Sequence, residues 1–391
     1  MTYKYAVNKP NGRKPVKFNK LTRSAVVLSV AAVLAVPTFA ATSANAASKA
    51  DTWTSAKQAG GIAKIAAECK KEGQLNIIAT PVDWANYGEI INNFKKKYKV
   101  KIDSNIPDGS SQDEIDQANA LKGTKRSPDV FDMGTTVGYK YIDTHYAPYK
   151  VTNWAKIPAN LKDAQGRLTP NYTGVLTIGY DGALGTITKL DDLLDPKFKG
   201  VVALNGDPTK ASAGLNGLFM TSLASGGTLD DISKGVEWFK KLKAAGNFIN
   251  VDPNTATIDS GQTRVVFDWT YNHKSHSDRF KAAGKSWKTF TPKGAEVGSW
   301  YNAGVSKWAP HPACARLWME FLYTAEGSNS WAKGGASPVI WPMMIKDKTA
   351  SKDAIAVIGS GTGVARVASA AQLAAANTYL VANWAAAVGT R

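Results

Sequence analysis

The sequence predicts an α/β protein made of two open, mostly parallel sheets flanked by helices, with a crevice at the carboxyl ends of their strands. Three observations carry this. Helical and strand-like stretches alternate along most of the chain. The strand candidates are short apolar runs closed by Gly, Pro or Thr-Pro. The length, 391 residues with 44% hydrophobic and 20% charged, is enough to bury the cores of two such units and excludes intrinsic disorder. A mean hydropathy of −0.24 argues against a multi-span membrane protein.

The elements follow in order. Ile62, Ile65, Ala66 and Cys69 form one helical face. Leu75 to Ala79 reads as a strand ended by Thr80-Pro81. Tyr87, Ile90, Ile91, Phe94 and Tyr98 give a second helical stripe backed by lysines. Val100 to Ile106 is a strand, Gln112 to Leu121 a helix capped by Ser110 or Ser111, and Asp129 to Met133 a third strand. A second alternating region has strands at Val175 to Tyr180, Val201 to Asn205, Phe248 to Val251 and Arg264 to Trp269. Its helices run from Ser212 to Ala224 and from Thr228 to Gly246. Cys314, Leu317, Trp318, Phe321 and Leu322 form a further helical face, and Ala368 to Ala387 an Ala-rich helix.

The formal charge is +17 and the pI about 9.6, which raises the question of nucleic acid. The charge is unevenly placed. Residues 1–50 hold no acid; seven basic residues precede Ser24, and an apolar run from Ala25 to Val36 leads to Ala44-Asn45-Ala46. This pattern predicts an export signal cleaved near Ala46. The apolar run is shorter than the roughly 20 residues of a membrane span. Cleavage would leave a mature chain near +10, in an oxidising compartment. No cysteine follows the apolar run, so no lipid anchor is expected. The remaining lysines, such as Lys95-Lys96-Lys97 and Lys240-Lys241-Lys243, read as solvated helix faces, so nucleic acid is not expected as a partner.

Four stretches, in their order and spacing, carry a family resemblance: Asp83–Tyr87 through Phe94–Ile102, Ser127–Gly134, Leu193–Pro208, and Ala309–Ala313 through Glu320–Gly327. Together the chain resembles the type II periplasmic solute-binding proteins, receptors of bacterial ABC importers, and is most similar to the polyamine, ferric iron and aminophosphonate-binding branch. The resemblance implies two lobes joined by crossovers near Thr169 to Thr177 and Phe290 to Asn302. Residues 1–46 would be the signal, 47–170 and 295–391 lobe 1, and 171–294 lobe 2. It also implies a small-molecule ligand and a permease in the inner membrane as partners, a monomer without cofactor, and a periplasmic location (secreted if the cell has one membrane).

Candidate ligand residues follow the strand ends. Polyamine binders keep a W-x-x-Y where this chain has Trp84 and Tyr87, and an aromatic wall attracts an amine; Tyr87 also fits the core stripe. Asp83 and Asp207 would accept from ammonium groups, although Asp207 can serve simply to fix the turn before Pro208. Thr135 and Thr136 open a helix and could hold a polar group or merely cap it. Asn205 ends a strand. Trp269 and Tyr271 share a strand face, with Asp268 pointing the other way. The resemblance implies a cleft role for Trp269 and an acid where Tyr271 stands. Trp300 and Tyr301 lie in the second crossover; ferric relatives use adjacent tyrosinates, and here Tyr301 has no neighbouring tyrosine. His273 and His276 form an H-x-x-H with only Asp278 as a near third ligand, so solvated loop histidines are expected and no metal.

Cys69 and Cys314 lie on apolar faces of the same expected lobe. An exported protein favours a disulfide; two buried thiols are the alternative. No G-x-S-x-G, H-E-x-x-H or phosphate-binding loop is present, so an enzyme is not expected, although acid pairs leave a secreted glycosidase as the contrasting class.

Overall fold

The computed structural model describes residues 49–361 and 365–389. Chain contacts divide the protein into residues 1–46 and 47–391; the expected export segment lies outside the described residues. No helix among the described residues is long and apolar enough to cross a membrane.

The first α/β unit begins with Ile62–Glu72 (α1), which buries Ile65 and Cys69 and ends at Gly73, whose positive φ of 74° lets its N–H return to the Cys69 carbonyl. Gln74–Ile78 (β1) follows, then Tyr87–Tyr98 (α2), which ends on Lys99 in the left-handed region. Lys101–Asn105 (β2) pairs parallel with β1, Gln74 opposite Lys101. Ser111–Ala120 (α3) is closed by Ser110 and Asp113 in a reciprocal capping box. Val130–Gly134 (β3) completes the unit.

Thr169–Asp181 (β4) is a 13-residue strand that serves two sheets. The second unit continues with Val202–Leu204 (β5), Ser212–Ala224 (α4), Ser233–Ala244 (α5), Val265–Trp269 (β6), Thr270–Ala282 (α6) and Trp287–Phe290 (β7). Val297–Ser306 (β8), Pro312–Leu322 (α7) and Ala370–Val388 (α8) close the chain.

The first part of β4 pairs antiparallel with β8, while its part from Leu176 onward pairs antiparallel with β6 and β7. Strand β8 in turn pairs antiparallel with β3 from Val130–Val305 to Gly134–Tyr301. The parallel pairs β1–β2 and β5–β6 match the expected βαβ pattern. The crossing strands make the sheets mixed rather than mostly parallel, because a strand that runs from one unit to the other and back must return antiparallel. At the switch between sheets stands Gly174, where a Cβ would meet the Tyr271 ring at 2.7 Å.

Local readings depart in three places. Phe248 to Val251 is not a strand: it makes only an isolated bridge, Val202 to Phe248, before the chain turns at Asp252-Pro253. The helix expected from Thr228 starts at Ser233, because the Thr228 hydroxyl accepts the N–H groups of Asp230 and Asp231 and holds a turn there. Strand β8, read from sequence only as a crossover, escaped notice because it is buried on both faces and shows no alternation.

The N-terminal helix is fastened to α7. Cys69 and Cys314 are bonded with Cα atoms 4.4 Å apart, across 245 residues of chain. The Glu72 carboxylate accepts the Ala313 and Cys314 N–H groups at 3.0 and 2.8 Å, filling orphan donors at the start of α7. Buried Arg316 donates to the carbonyls of Asp51, Trp53 and Pro312. Replacing both cysteines with serine should lower unfolding free energy by about 3–5 kcal/mol, as expected for so long a loop. Urea unfolding of the variant and parent measures this; an unchanged midpoint would show that the bridge does not constrain the chain.

Candidate functional site

Where β1, β2, β5 and β6 end, the two units enclose a cavity of about 1090 Å³. Its first wall is the loop Ala79–Trp84, the turn around Asp108 and the start of α3; its second is the start of α4, the segment from Asp252 to Ala256 and one face of α6. Tyr301 of β8 lies between them. The loop after β1 is conformationally costly: Ala79, Ala85 and Asn86 all have positive φ, at 50°, 46° and 63°. Such strain persists where surrounding contacts over-determine it, and here it holds Asp83 and Trp84 at the wall.

The wall is acidic. Asp83, Asp108, Asp113, Glu114 and Asp132 come from the first unit, and Asp207, Asp252 and Asp268 from the second, against only Lys210 and Arg279 among the lysines and arginines. His276 adds no charge, because burial and the nearby Arg279 push its pKa down to about 3.

Three of these carboxyls are buried. Asp132 sits on β3 and accepts from the Asn171 amide and the Tyr172 hydroxyl, each at 2.7 Å. The same Tyr172 hydroxyl accepts the Trp84 indole N–H at 2.7 Å, so one phenol ties an acid of β3 to the aromatic wall. Burial raises Asp132 to about 6 despite these donors. Glu114 accepts the Asp132 N–H at 3.0 Å, and burial together with the Asp132 charge holds it well above the usual carboxylate range. Asp268, on the other wall, accepts from the Trp269 N–H at 2.7 Å and the Asn272 amide at 3.0 Å; burial raises it to about 6. Exposed more, Asp108 is raised by burial and by the charge of Asp83.

Of the residues singled out from sequence, Asp83, Trp84, Asn205, Asp207 and Tyr301 stand on the cavity wall. Asp83 also accepts from the Thr255 hydroxyl across the cleft. Trp84 meets Tyr271 and Tyr301 edge-on, both at 5.6 Å between centroids. Asp207 uses one oxygen to hold the Thr209 N–H and hydroxyl, the turn-fixing role. The remaining residues lie off the wall. Tyr87 is packed between Tyr172 and Trp331. Thr135 donates to the Trp300 carbonyl at 2.7 Å, and neither Thr136 nor Trp300 lines the cavity.

The end of β6 reverses the expected pattern. The strand stops at Trp269, so Tyr271 belongs to the first turn of α6 rather than to a strand face. Trp269 and Tyr271 are buried in the core, whereas Asp268, expected to point away, reaches the cavity. His273 and His276 are not loop residues: they are buried on α6, where His273 accepts the Trp287 indole N–H at 3.2 Å. No group of His, Cys, Asp and Glu among the described residues is arranged to hold a metal ion.

Sequence reasoning missed Glu114, Asp132 and Asn272. A signal existed for two of them. Asp132 interrupts the apolar run Val130-Phe131-Met133, and Glu114 shares a helix face with Ile115 and Ala118, so each places a charge where burial is expected.

Residues 125–359, more than half of the chain, match the family model described as bacterial extracellular solute-binding protein, and the chain belongs to that family. Solved structures agree in fold. The apo ferric ion-binding protein A of Pasteurella haemolytica aligns over 81% of this chain and 96% of its own, with TM-score 0.55 and 18% identity. A Listeria monocytogenes chain described as a spermidine/putrescine ABC transporter aligns over 79% and 98%, with TM-score 0.56 and 15% identity. AfuA of Actinobacillus pleuropneumoniae, solved with fructose-6-phosphate, aligns over 68% and 84%, with TM-score 0.53 and 19% identity. The fold is therefore that of the two-lobed periplasmic binding proteins.

The buried acids set a pH signature. Asp132 and Asp268 bind protons more tightly folded than unfolded, so between about pH 4 and 6 the native state holds more protons and stability falls as pH rises. Each contributes on the order of 2–3 kcal/mol to that fall. Asp132→Asn and Asp268→Asn should each flatten the decline, read from urea unfolding across that window; parallel curves for parent and variants would show that these acids titrate normally.

Proposed function

We propose that the solute captured by this receptor is a small organic cation, polyamine-like in carrying ammonium groups on an alkyl chain. The observation that carries the reading is the cleft's charge: eight carboxyl groups face two cations on its wall, inside a chain whose overall charge is strongly positive. Desolvated carboxylates fixed by hydrogen bonds attract a cation far more strongly than the scattered outer lysines repel it, because the outer charges act through water and salt. Trp84 and Tyr301 offer ring faces and edges to the connecting alkyl chain.

In this reading the lobes are residues 47–170 with 295–391, and 171–294. They close about β4 and β8. Asp132 and Asp268, from opposite walls, line the same cavity, and a ligand that meets both favours the closed form. The closed receptor would then hand its cargo to an ABC permease in the inner membrane, acting as a periplasmic monomer without chemistry of its own.

A second reading has its own support. The first turns of α3 and α4, with Lys210, also face the cavity, and helix N-termini favour anions; a phosphate ester or aminophosphonate would use them. Iron is less well supported, since burial holds the Tyr301 phenol well above its usual range and disfavours a tyrosinate.

A thermal-shift screen of diamines, polyamines, ferric complexes, phosphonates and sugar phosphates tests the reading. Diamines or polyamines should raise Tm, Asp268→Asn should weaken their binding by about 30-fold or more, and Trp84→Ala by roughly ten-fold. Stabilisation by phosphonates or sugar phosphates alone would overturn the cation reading, and mass spectrometry showing an altered ligand on release would favour a hydrolase.

A further inference from the structure

A second concentration of charge lies at the end of the first unit that faces away from the cleft. Strands β1 and β2 run parallel, and their carboxyl ends lead into the cavity wall at Ala79 and Ser104. Their amino ends therefore mark the opposite pole, roughly 13 Å back along a five-residue strand. Helix α1 arrives at this pole with Lys70 in its last turn. Helix α2 arrives with Lys95 and Lys96 in its last turn and Lys99 as its cap. Lys101 opens β2, its N–H bonded to the Gly73 carbonyl at 3.0 Å. Lys125 is drawn in by its carbonyl, which accepts from the Asn76 amide at 2.9 Å. All six side chains are exposed.

Three of the nearby acids are occupied. Glu68 pairs with Lys64 and Lys71. Glu72 caps α7, and Asp129 is fully buried against His311. Asp103 stands mid-strand on β2 opposite Asn76, level with the anchor of Lys125, and offsets one charge of the array. None of the six lysines makes an ion pair with a described residue.

We propose that this pole is a docking surface for an anionic phospholipid bilayer. The six lysines form a spread array borne on two helix ends, the start of β2 and the turn at Lys125, where exposed Arg126 adds a seventh positive charge. The carboxyl ends of α1 and α2 carry the negative pole of the helix dipole, which suits cations but not a small bound anion. Such an array matches a diffuse sheet of negative headgroups, each lysine adding about five-fold to partitioning. Charge placement reinforces it: the chain from Ala47 onward is near +10 although its cleft wall is net acidic, so the outer surface carries the excess. Held by this pole, the receptor turns its cleft away from the bilayer and keeps it open to solute. The surface is independent of what the cleft binds.

The test is co-sedimentation of the chain from Ala47 to Arg391, which contains the fold described above, with vesicles. One set is phosphatidylcholine alone and the other phosphatidylcholine and phosphatidylglycerol in equal amounts. Binding is expected only to the second set and should vanish at about 0.5 M salt. Replacing Lys70, Lys95, Lys96, Lys99 and Lys101 with glutamine should weaken it more than 100-fold at unchanged Tm. A control variant losing Lys240, Lys241, Lys243, Lys281 and Lys285 should lose at least ten-fold less. Equal losses in the two variants, equal binding to both vesicle types, or binding to soluble heparin with none to vesicles would overturn the proposal.

Discussion

A carboxylate taken out of water must be hydrogen-bonded, neutralised by a proton or matched by a cation. Much of the molecule is arranged around that constraint at Asp132. The acid is carried on β3, whose register against β8 also places Tyr301 at the cavity. It is held by Asn171 and Tyr172 from β4, and through Tyr172 it orients Trp84 in the strained loop after β1. One buried charge thus links both crossing strands and the first loop of the cavity wall. Asp268 repeats the device on the second wall with donors from its own unit.

The donors stabilise each carboxylate without cancelling the cost of burial, which is why both remain easy to protonate. Below about pH 6 a proton fills the need; under the proposed function, an ammonium group of the solute fills it when ligand is bound. On that proposal the cleft couples solute capture to proton balance, and closure is favourable when something positive replaces bulk water between the walls. Overall charge is a poor guide here. The chain is basic, yet the cavity wall is acidic, and short screening lengths keep the two separate.

Much of the fold was legible because its local signals agree. The stripe from Tyr87 to Tyr98, the serine cap at Ser110 or Ser111 and the apolar run at β1 each state one structure. What could not be read depends on tertiary context. Strand β8 has no alternation because both faces are buried. Strand β6 was ended at Trp269 as observed, but its face was carried on to Tyr271, which lies in the first turn of α6, and the roles of Asp268 and Trp269 were exchanged. In the cleft, aromatic residues near strand ends drew attention, yet several of them are core. Asp83 and Asp207 were read from the strand ends, but Glu114 and Asp132 were overlooked because their signal, a charge on an apolar face, points to burial rather than to a cavity.

The coupling of cation to proton is the claim most open to a single measurement. Calorimetric titration of 1,4-diaminobutane, run near pH 6 in two buffers of different ionisation enthalpy, counts the protons exchanged on binding. If the diamine meets Asp132 and Asp268, protons are released near pH 6 and release fades at about pH 8, where both acids are already ionised. Binding with no proton release at either pH, or no binding at all, would contradict the account.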